Sequence, residues 1–259
     1  MEIRVLGCYG NQLQEHRTTS FIINKTIALD AGAITTALTF DEQLMIDNVL
    51  ITHSHVDHIK DLAFLGDNII ARKQFPVNII GEKHTLKAIA DHYFNNVIWP
   101  DFTSIPSSET PVFAFKEIEK ETEFSINGLR FFGVQTPHPV HTLGYFIRDN
   151  KNSVLHVSDT GMTEKIWEYA GKETNLRAIF LEASFPNDMA GLAKASGHLT
   201  PEQIVGELSK IAPHDHFIDV YVYHLKPLYK DKLIREINQI TVPGFSIKLM
   251  EQDSIISYV

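Results

Sequence analysis

Thr52-His53-Ser54-His55-Val56-Asp57-His58 follows directly on the apolar run Val49-Leu50-Ile51. A run of that kind reads as a buried strand, which places His-x-His-x-Asp-His on the turn that leaves it. Imidazoles are good ligands for zinc and its neighbours in the series, and a carboxylate adds a hard oxygen and a negative charge. His53, His55, Asp57 and His58 on one tight turn are enough to begin a site for two metal ions. A polar loop that is merely rich in histidine explains the density poorly, because each buried imidazole or carboxylate needs a partner.

A two-metal site needs further ligands from later strand ends, where the functional residues of layered α/β proteins tend to sit. His138 follows Val134-Gln135-Thr136, Asp159 follows Val154-Leu155-His156-Val157-Ser158, and His224 follows Val220-Tyr221-Val222-Tyr223. An economical assignment gives His53, His55 and His138 to one metal and Asp57, His58 and His224 to the other, with Asp159 and a hydroxide bridging them. His141 lies three residues beyond His138 and is its rival. His156 falls inside its strand and suits a packed or supporting role. His16, His84, His92, His214 and His216 lie on expected loops or helices and read as solvated surface histidines. Zinc is the expected metal, with manganese or iron as alternatives. The positive charge of two divalent ions exceeds the negative charge of Asp57, Asp159 and a bridging hydroxide. Such a site favours an anionic ester and a hydroxide nucleophile at neutral pH. Phosphodiester, lactam, lactone and thioester hydrolysis all remain open at this point.

The 259 residues suit one large domain, taken here as residues 1–259, and the 44% apolar content supports a real core. A formal net charge of −9 argues against broad nucleic-acid binding, which needs basic surface. A single cysteine, Cys8, permits no intrachain disulfide and reads as a buried structural thiol. The chain opens on a strand pattern without a basic and apolar leader, and no apolar run approaches the roughly 20 residues of a membrane span. A soluble, cytoplasmic protein is expected.

Strands are expected at 3–6, 20–23, 26–29, 48–51, 77–80, 111–115, 129–135, 143–148, 153–158, 178–182 and 220–224, with Asn24-Lys25 as a hairpin turn. Helices are expected at 59–72, 82–94, 163–169, 201–212 and 230–239. The helix from Pro201 has Thr200 as N-cap and Glu202 in its first turn. Residues 99–111 read as an ordered loop, and no internal repeat is evident. Both halves run from several strands into helices, which fits two sheets covered by helices, with the site where loops from both sheets meet.

A second element narrows the chemistry. Glu182-Ala183-Ser184-Phe185-Pro186-Asn187 precedes Ser196-Gly197-His198-Leu199-Thr200-Pro201-Glu202. His198 stands just before the expected helix, where an anion is favoured and a histidine can bind or protonate a phosphate oxygen.

With these residues in place, the chain resembles the metallo-β-lactamase fold superfamily over nearly its whole length. The resemblance implies a four-layer αββα sandwich. The Glu182–Thr200 segment is similar to the phosphodiesterase branch, of which the tRNA 3′-processing endonuclease carries a comparable pair. In that branch the third ligand motif is a His with Gly-Tyr six residues on, and His138 stands so before Gly144-Tyr145. More specific strings resemble class II cyclic-nucleotide phosphodiesterases: Phe94-Asn95-Asn96-Val97-Ile98-Trp99-Pro100-Asp101-Phe102, Ser184-Phe185-Pro186-Asn187, Gly197-His198-Leu199-Thr200-Pro201 and His224-Leu225-Lys226-Pro227. One departure is His141-Thr142-Leu143, where proline and small residues usually precede Gly-Tyr. The family implies hydrolysis of 3′,5′-cyclic AMP and/or GMP to the 5′-nucleotide. Asp57 would orient the bridging hydroxide, and His198 would hold a phosphate oxygen or protonate the leaving group. It also implies a homodimer, as its members often are. The competing expectations are a tRNA-processing nuclease, a lactonase or thioesterase, and a non-catalytic metal scaffold. The acidic balance opposes the first, and the Glu182/His198 pair is superfluous to the second. The seven complete ligand positions oppose the third. A di-iron oxidoreductase of this fold carries Glu at the place of His55.

Overall fold

Alternation along the strands divides the apolar residues among three layers of core. The structure, a computed structural model, describes residues 1–74 and 76–258. Fourteen strands are seen: β1 (Glu2–Gly7), β2 (Ser20–Ile23), β3 (Ile27–Leu29), β4 (Asn48–Leu50), β5 (Val77–Glu82), β6 (Phe113–Ile118), β7 (Glu123–Ile126), β8 (Leu129–Thr136), β9 (Thr142–Arg148), β10 (Ser153–His156), β11 (Leu176–Glu182), β12 (Ile218–Tyr223), β13 (Phe245–Leu249) and β14 (Ile255–Ser257). The helices are α1 (Ile34–Ala37), α2 (Phe40–Leu44), α3 (Val56–Ile59), α4 (Asp61–Ile69), α5 (Lys83–His92), α6 (Lys165–Ala170), α7 (Ala190–Ser196), α8 (Pro201–Leu208) and α9 (Lys230–Ile237).

The strands form two seven-stranded sheets, ordered β14-β1-β2-β3-β4-β5-β6 and β13-β12-β11-β10-β9-β8-β7. The two share one plan. In the first, β14 through β3 pair antiparallel and β3 through β6 parallel. In the second, β7 through β10 pair antiparallel and β10 through β13 parallel. The chain thus builds the same half twice, a duplication that the sequence does not display.

Because successive side chains on a strand face opposite ways, neighbours part into different layers. In and after β4, Val49 and Ile51 pack with the helices while Leu50 packs between the sheets. In β11, Ile179 and Leu181 face helices and Ala178 and Phe180 face the opposite sheet. The result is the expected αββα sandwich. β4 and β10 are buried along their whole length, as parallel or inner strands are when both faces are covered. Cys8 is buried as expected, and burial pushes its thiol up to about 12. Among the described residues no helix is long and apolar enough to cross a membrane.

Several expectations are corrected. The helix expected from residue 59 begins at Val56, so Asp57 and His58 belong to its first turn rather than to an open loop. The helix from Pro201 ends at Leu208; Thr200 caps its start, donating its N–H to Gln203 Oε1 at 2.9 Å. Sequence reading gave no account of α1, α2, α7, β7, β13 or β14. These are short elements, and β14 is stabilised by pairing with β1 from the other end of the chain. His214 and His216 are half-buried, not solvated: their ring nitrogens bond the carbonyls of Ala212, Glu173 and Leu176.

The 94–102 segment is a packed turn. Phe94 and Phe102 are buried against Phe113, and Asn95 Oδ1 accepts from the N–H groups of Val97 and Ile98. Asn96 Oδ1 accepts from Asp101 N. The asparagines therefore shape the turn, and Trp99 meets Phe64 edge-on.

Candidate metal centre

Strand ends deliver the site, and at three of them the backbone is left-handed. Asp30 after β3 has φ +57°, Ser158 before Asp159 has +66°, and His224 after β12 has +61°. Non-glycine residues held there cost roughly 1–3 kcal/mol each and cluster where function requires them. Gly10 allows the close approach on the other side of His224, since a Cβ there would lie 2.6 Å from the histidine's ring and carbonyl.

The seven residues singled out from the sequence lie together. Donor atoms of His53, His55, His138 and Asp159 are within 4.8 Å of one another, and so are those of Asp57, His58 and His224. Asp159 links the two groups. Its Oδ2 stands 3.7 Å from His53 Nε2, 3.9 Å from His138 Nε2 and 3.4 Å from His224 Nε2, and its Oδ1 3.5 Å from His58 Nε2. Asp57 Oδ2 is 3.3 Å from His224 Nε2.

Hydrogen bonds outside the cluster decide which ring nitrogens face inward. His58 Nδ1 donates to Asp30 Oδ2 at 2.7 Å, and His138 Nδ1 donates to the Gly197 carbonyl at 2.9 Å. Thr52 Oγ1 gives its proton to Asp30 and so accepts from His53 Nδ1 at 2.9 Å. Ser184 Oγ gives its proton to Glu182 and so accepts from His224 Nδ1 at 3.0 Å. Each of these rings therefore turns an Nε2 lone pair toward the others. His58 Nε2 and His224 Nε2 face one another at 3.4 Å. His53 Nε2 and Asp159 Oδ1 are buried without a hydrogen-bond partner. Convergent lone pairs and orphaned acceptors repel unless cations lie between them, so the donor set fits divalent metal ions.

Protonation states agree in part. Burial holds His53 well below the ordinary histidine range and brings His55 down to about 4; it lowers His138 too. Burial opposes the ionised form of Asp159, yet His224 and His58 hold its carboxyl well below its usual range. Neutral imidazoles and ionised carboxylates are the metal-binding forms. His58 differs: burial lowers it, but Asp159, Asp30 and Asp57 outweigh that and raise it. A cation at His58 therefore competes with a proton.

Asp30, Thr52, Ser184 and the Gly197 carbonyl were not singled out as supporting groups. Asp30 is fully buried and bonds Thr52 N as well as His58. Asp30→Asn should keep the fold and weaken metal affinity roughly 10- to 100-fold, as loss of a carboxylate behind a ligating histidine does. Competition with a chromophoric chelator measures it, and unchanged affinity would show that His58 is oriented without this carboxylate.

Beside the cluster, Glu182 Oε1 accepts from His198 Nδ1 at 2.7 Å and from Thr160 N at 3.1 Å. Burial acts against a charged His198, but Glu182 prevails and raises it above the ordinary range. Donor atoms of His198, Asp159 and His224 lie within 4.8 Å of one another. His198 and His138 line a cleft of about 380 Å³ with Pro137, Met162, Lys194 and Gln203, a size suited to a small ligand. His141 does not join the cluster; it stacks on His84 at 3.9 Å. His156 is buried and meets Tyr223 Oη at 3.1 Å, in keeping with a packed role.

Comparison with known proteins follows the same lines. Residues 11–234 match the family model described as cAMP phosphodiesterases class-II. The chain is 28% identical over 202 residues to a Saccharomyces cerevisiae protein named 3′,5′-cyclic-nucleotide phosphodiesterase 1, covering 70% of this chain and 54% of the relative. It is 27% identical over 236 residues to a Yersinia pestis protein named probable 3′,5′-cyclic-nucleotide phosphodiesterase, covering 80% and 66%. The chain thus spans between about half and two thirds of the length of these relatives. Among solved structures, unliganded yeast PDE1 superposes with a TM-score of 0.85 at 19% identity over 98% of each chain. The Bacillus subtilis metallo-β-lactamase fold protein YhfI gives 0.78 at 17% identity over 99% of each. Human tRNase Z, short form, gives 0.69 at 15% over 99% of each. The architecture is the metallo-β-lactamase fold.

Proposed function

The chain belongs to the class II cAMP phosphodiesterase family, and on that premise we propose that it hydrolyses the phosphodiester of a 3′,5′-cyclic nucleotide, cAMP and/or cGMP, to the 5′-nucleotide. The observation that carries this reading is the pairing of a seven-donor cluster with a histidine hydrogen-bonded to Glu182 at the edge of the same cleft, its protonated form favoured by that carboxylate. His53, His55 and His138 would hold one divalent ion and Asp57, His58 and His224 a second, with Asp159 between; zinc suits the donors, and manganese or iron are alternatives. Such ions supply positive charge for the phosphate oxygens and acidify water near neutral pH.

The chain's own groups supply the rest. Asp57 is ionised: burial opposes this, but His58 and His224 hold its carboxyl far below the usual range. It accepts a hydrogen bond from the attacking water and so fixes its direction. Glu182 favours the protonated form of His198, which can give its proton to the departing 3′-oxygen or share it with a phosphate oxygen. Pro137, Pro139 and Met162 line the cleft beside these groups.

The test is an assay of zinc-loaded protein with cyclic AMP and cyclic GMP, with products separated by chromatography. The 5′-nucleotide is expected, and a chelator should abolish its formation. Turnover of a tRNA precursor or a lactone, with neither cyclic nucleotide consumed, would overturn the assignment.

A further inference from the structure

His141, which the centre leaves out, faces a second group of donors. Its ring lies parallel to that of His84, 3.9 Å between centroids and 4° between planes. His84 Nδ1 stands 2.9 Å from Glu82 Oε1, while Glu82 Oε2 accepts the His84 N–H at 2.8 Å. One donor atom from each of Glu82, His84 and His141 lies within 4.8 Å of the other two. None of the three belongs to the seven-donor cluster.

We propose that Glu82, His84 and His141 form a separate site for a divalent transition-metal cation. Two imidazoles and a carboxylate are a zinc-type set, and three protein ligands leave a position for water. Imidazole favours zinc, cobalt, nickel or copper over magnesium or calcium. In the parallel stack the ring lone pairs lie in separate planes, so a shared ion requires one ring to turn until a nitrogen of each points at it. Burial acts against ionisation of Glu82, but the side-chain and backbone hydrogen bonds from His84 keep its carboxyl below its usual range. The carboxylate is also preset, because it caps α5. His84 is exposed, so an ion reaches the site from solvent.

The place gives the site a consequence. His141 leaves the short 137–141 connection that also carries His138, and Thr85 Oγ1 of α5 donates to the His141 carbonyl at 3.4 Å. Two residues on, Leu143 N donates to Thr52 O beside His53. A cation bound by His141 and His84 ties the connection bearing His138 to the start of α5.

Equilibrium dialysis of zinc-loaded protein against excess zinc tests the proposal, alongside His84→Ala and His141→Ala. Wild type should bind one more zinc per chain than either variant, and magnesium should not substitute. Cobalt added to the zinc-loaded protein should give ligand-field bands in wild type that both variants lack. Thermal unfolding should rise with added zinc more in wild type than in the variants. Equal zinc counts in all three proteins would overturn it. So would variants that lose turnover together with the centre's own metal, since the three residues would then belong to that centre.

Discussion

Asp159→Asn is expected to strip the centre of at least one ion and to reduce cyclic-nucleotide hydrolysis to background. Asp159 is the carboxylate within 4 Å of four inward-facing imidazoles, those of His53, His58, His138 and His224. Asparagine fills the same volume, so the loss reports charge and not packing. Without that charge the lone pairs of four rings still converge, with less to attract a cation between them. Removing one preorganised oxyanion-hole donor costs roughly 10²–10³ in rate; in the proposed centre Asp159 also secures the metal, so the fall should exceed that range. Elemental analysis of the purified variant gives the metal content, and circular dichroism checks the fold. A variant with full metal and full turnover would remove Asp159 from the centre.

What the sequence made legible were residues whose role is announced locally. Asp159 and His224 close apolar runs, and the 53–58 cluster is dense enough to stand out without context. The supporting groups announce nothing. Asp30 acts on His58 from 28 positions away, and nothing near it distinguishes a carboxylate that orients an imidazole from one that ends a strand. His138 and His141 are rivals after the same strand, and the resemblance favours His138. The structure gives a physical reason: Gly197, left-handed at φ +70°, brings its carbonyl against His138 Nδ1 while His141 turns to His84. The outer strands escaped for another cause. β13 is only half-buried, so its alternation is weak, and β14 owes its place to β1, which no local pattern encodes.

His198→Ala should lower kcat by roughly 10²–10⁴, the usual worth of a positioned proton donor, while leaving metal content unchanged. His198 is outside the seven, but it touches them: its ring lies 5.1 Å from that of His138 and 5.4 Å from that of His224. Metal content therefore separates a proton-donor role from a ligand role, since a ligand's loss would release an ion. The pH profile supplies a second separation. Glu182 raises the imidazole above its ordinary range against the effect of burial. In the proposed donor role the active form is the protonated one, so activity is retained below that raised value and lost as pH rises through it. Glu182→Gln keeps a hydrogen-bond acceptor but removes the charge, so the imidazole loses its proton at lower pH. The alkaline limb of kcat should move to lower pH in Glu182→Gln. It should become independent of this group in His198→Ala, whose residual rate no longer contains the proton transfer. An alkaline limb unmoved by Glu182→Gln would mean that the proton leaves from elsewhere, and His198 would then be a phosphate-binding group only.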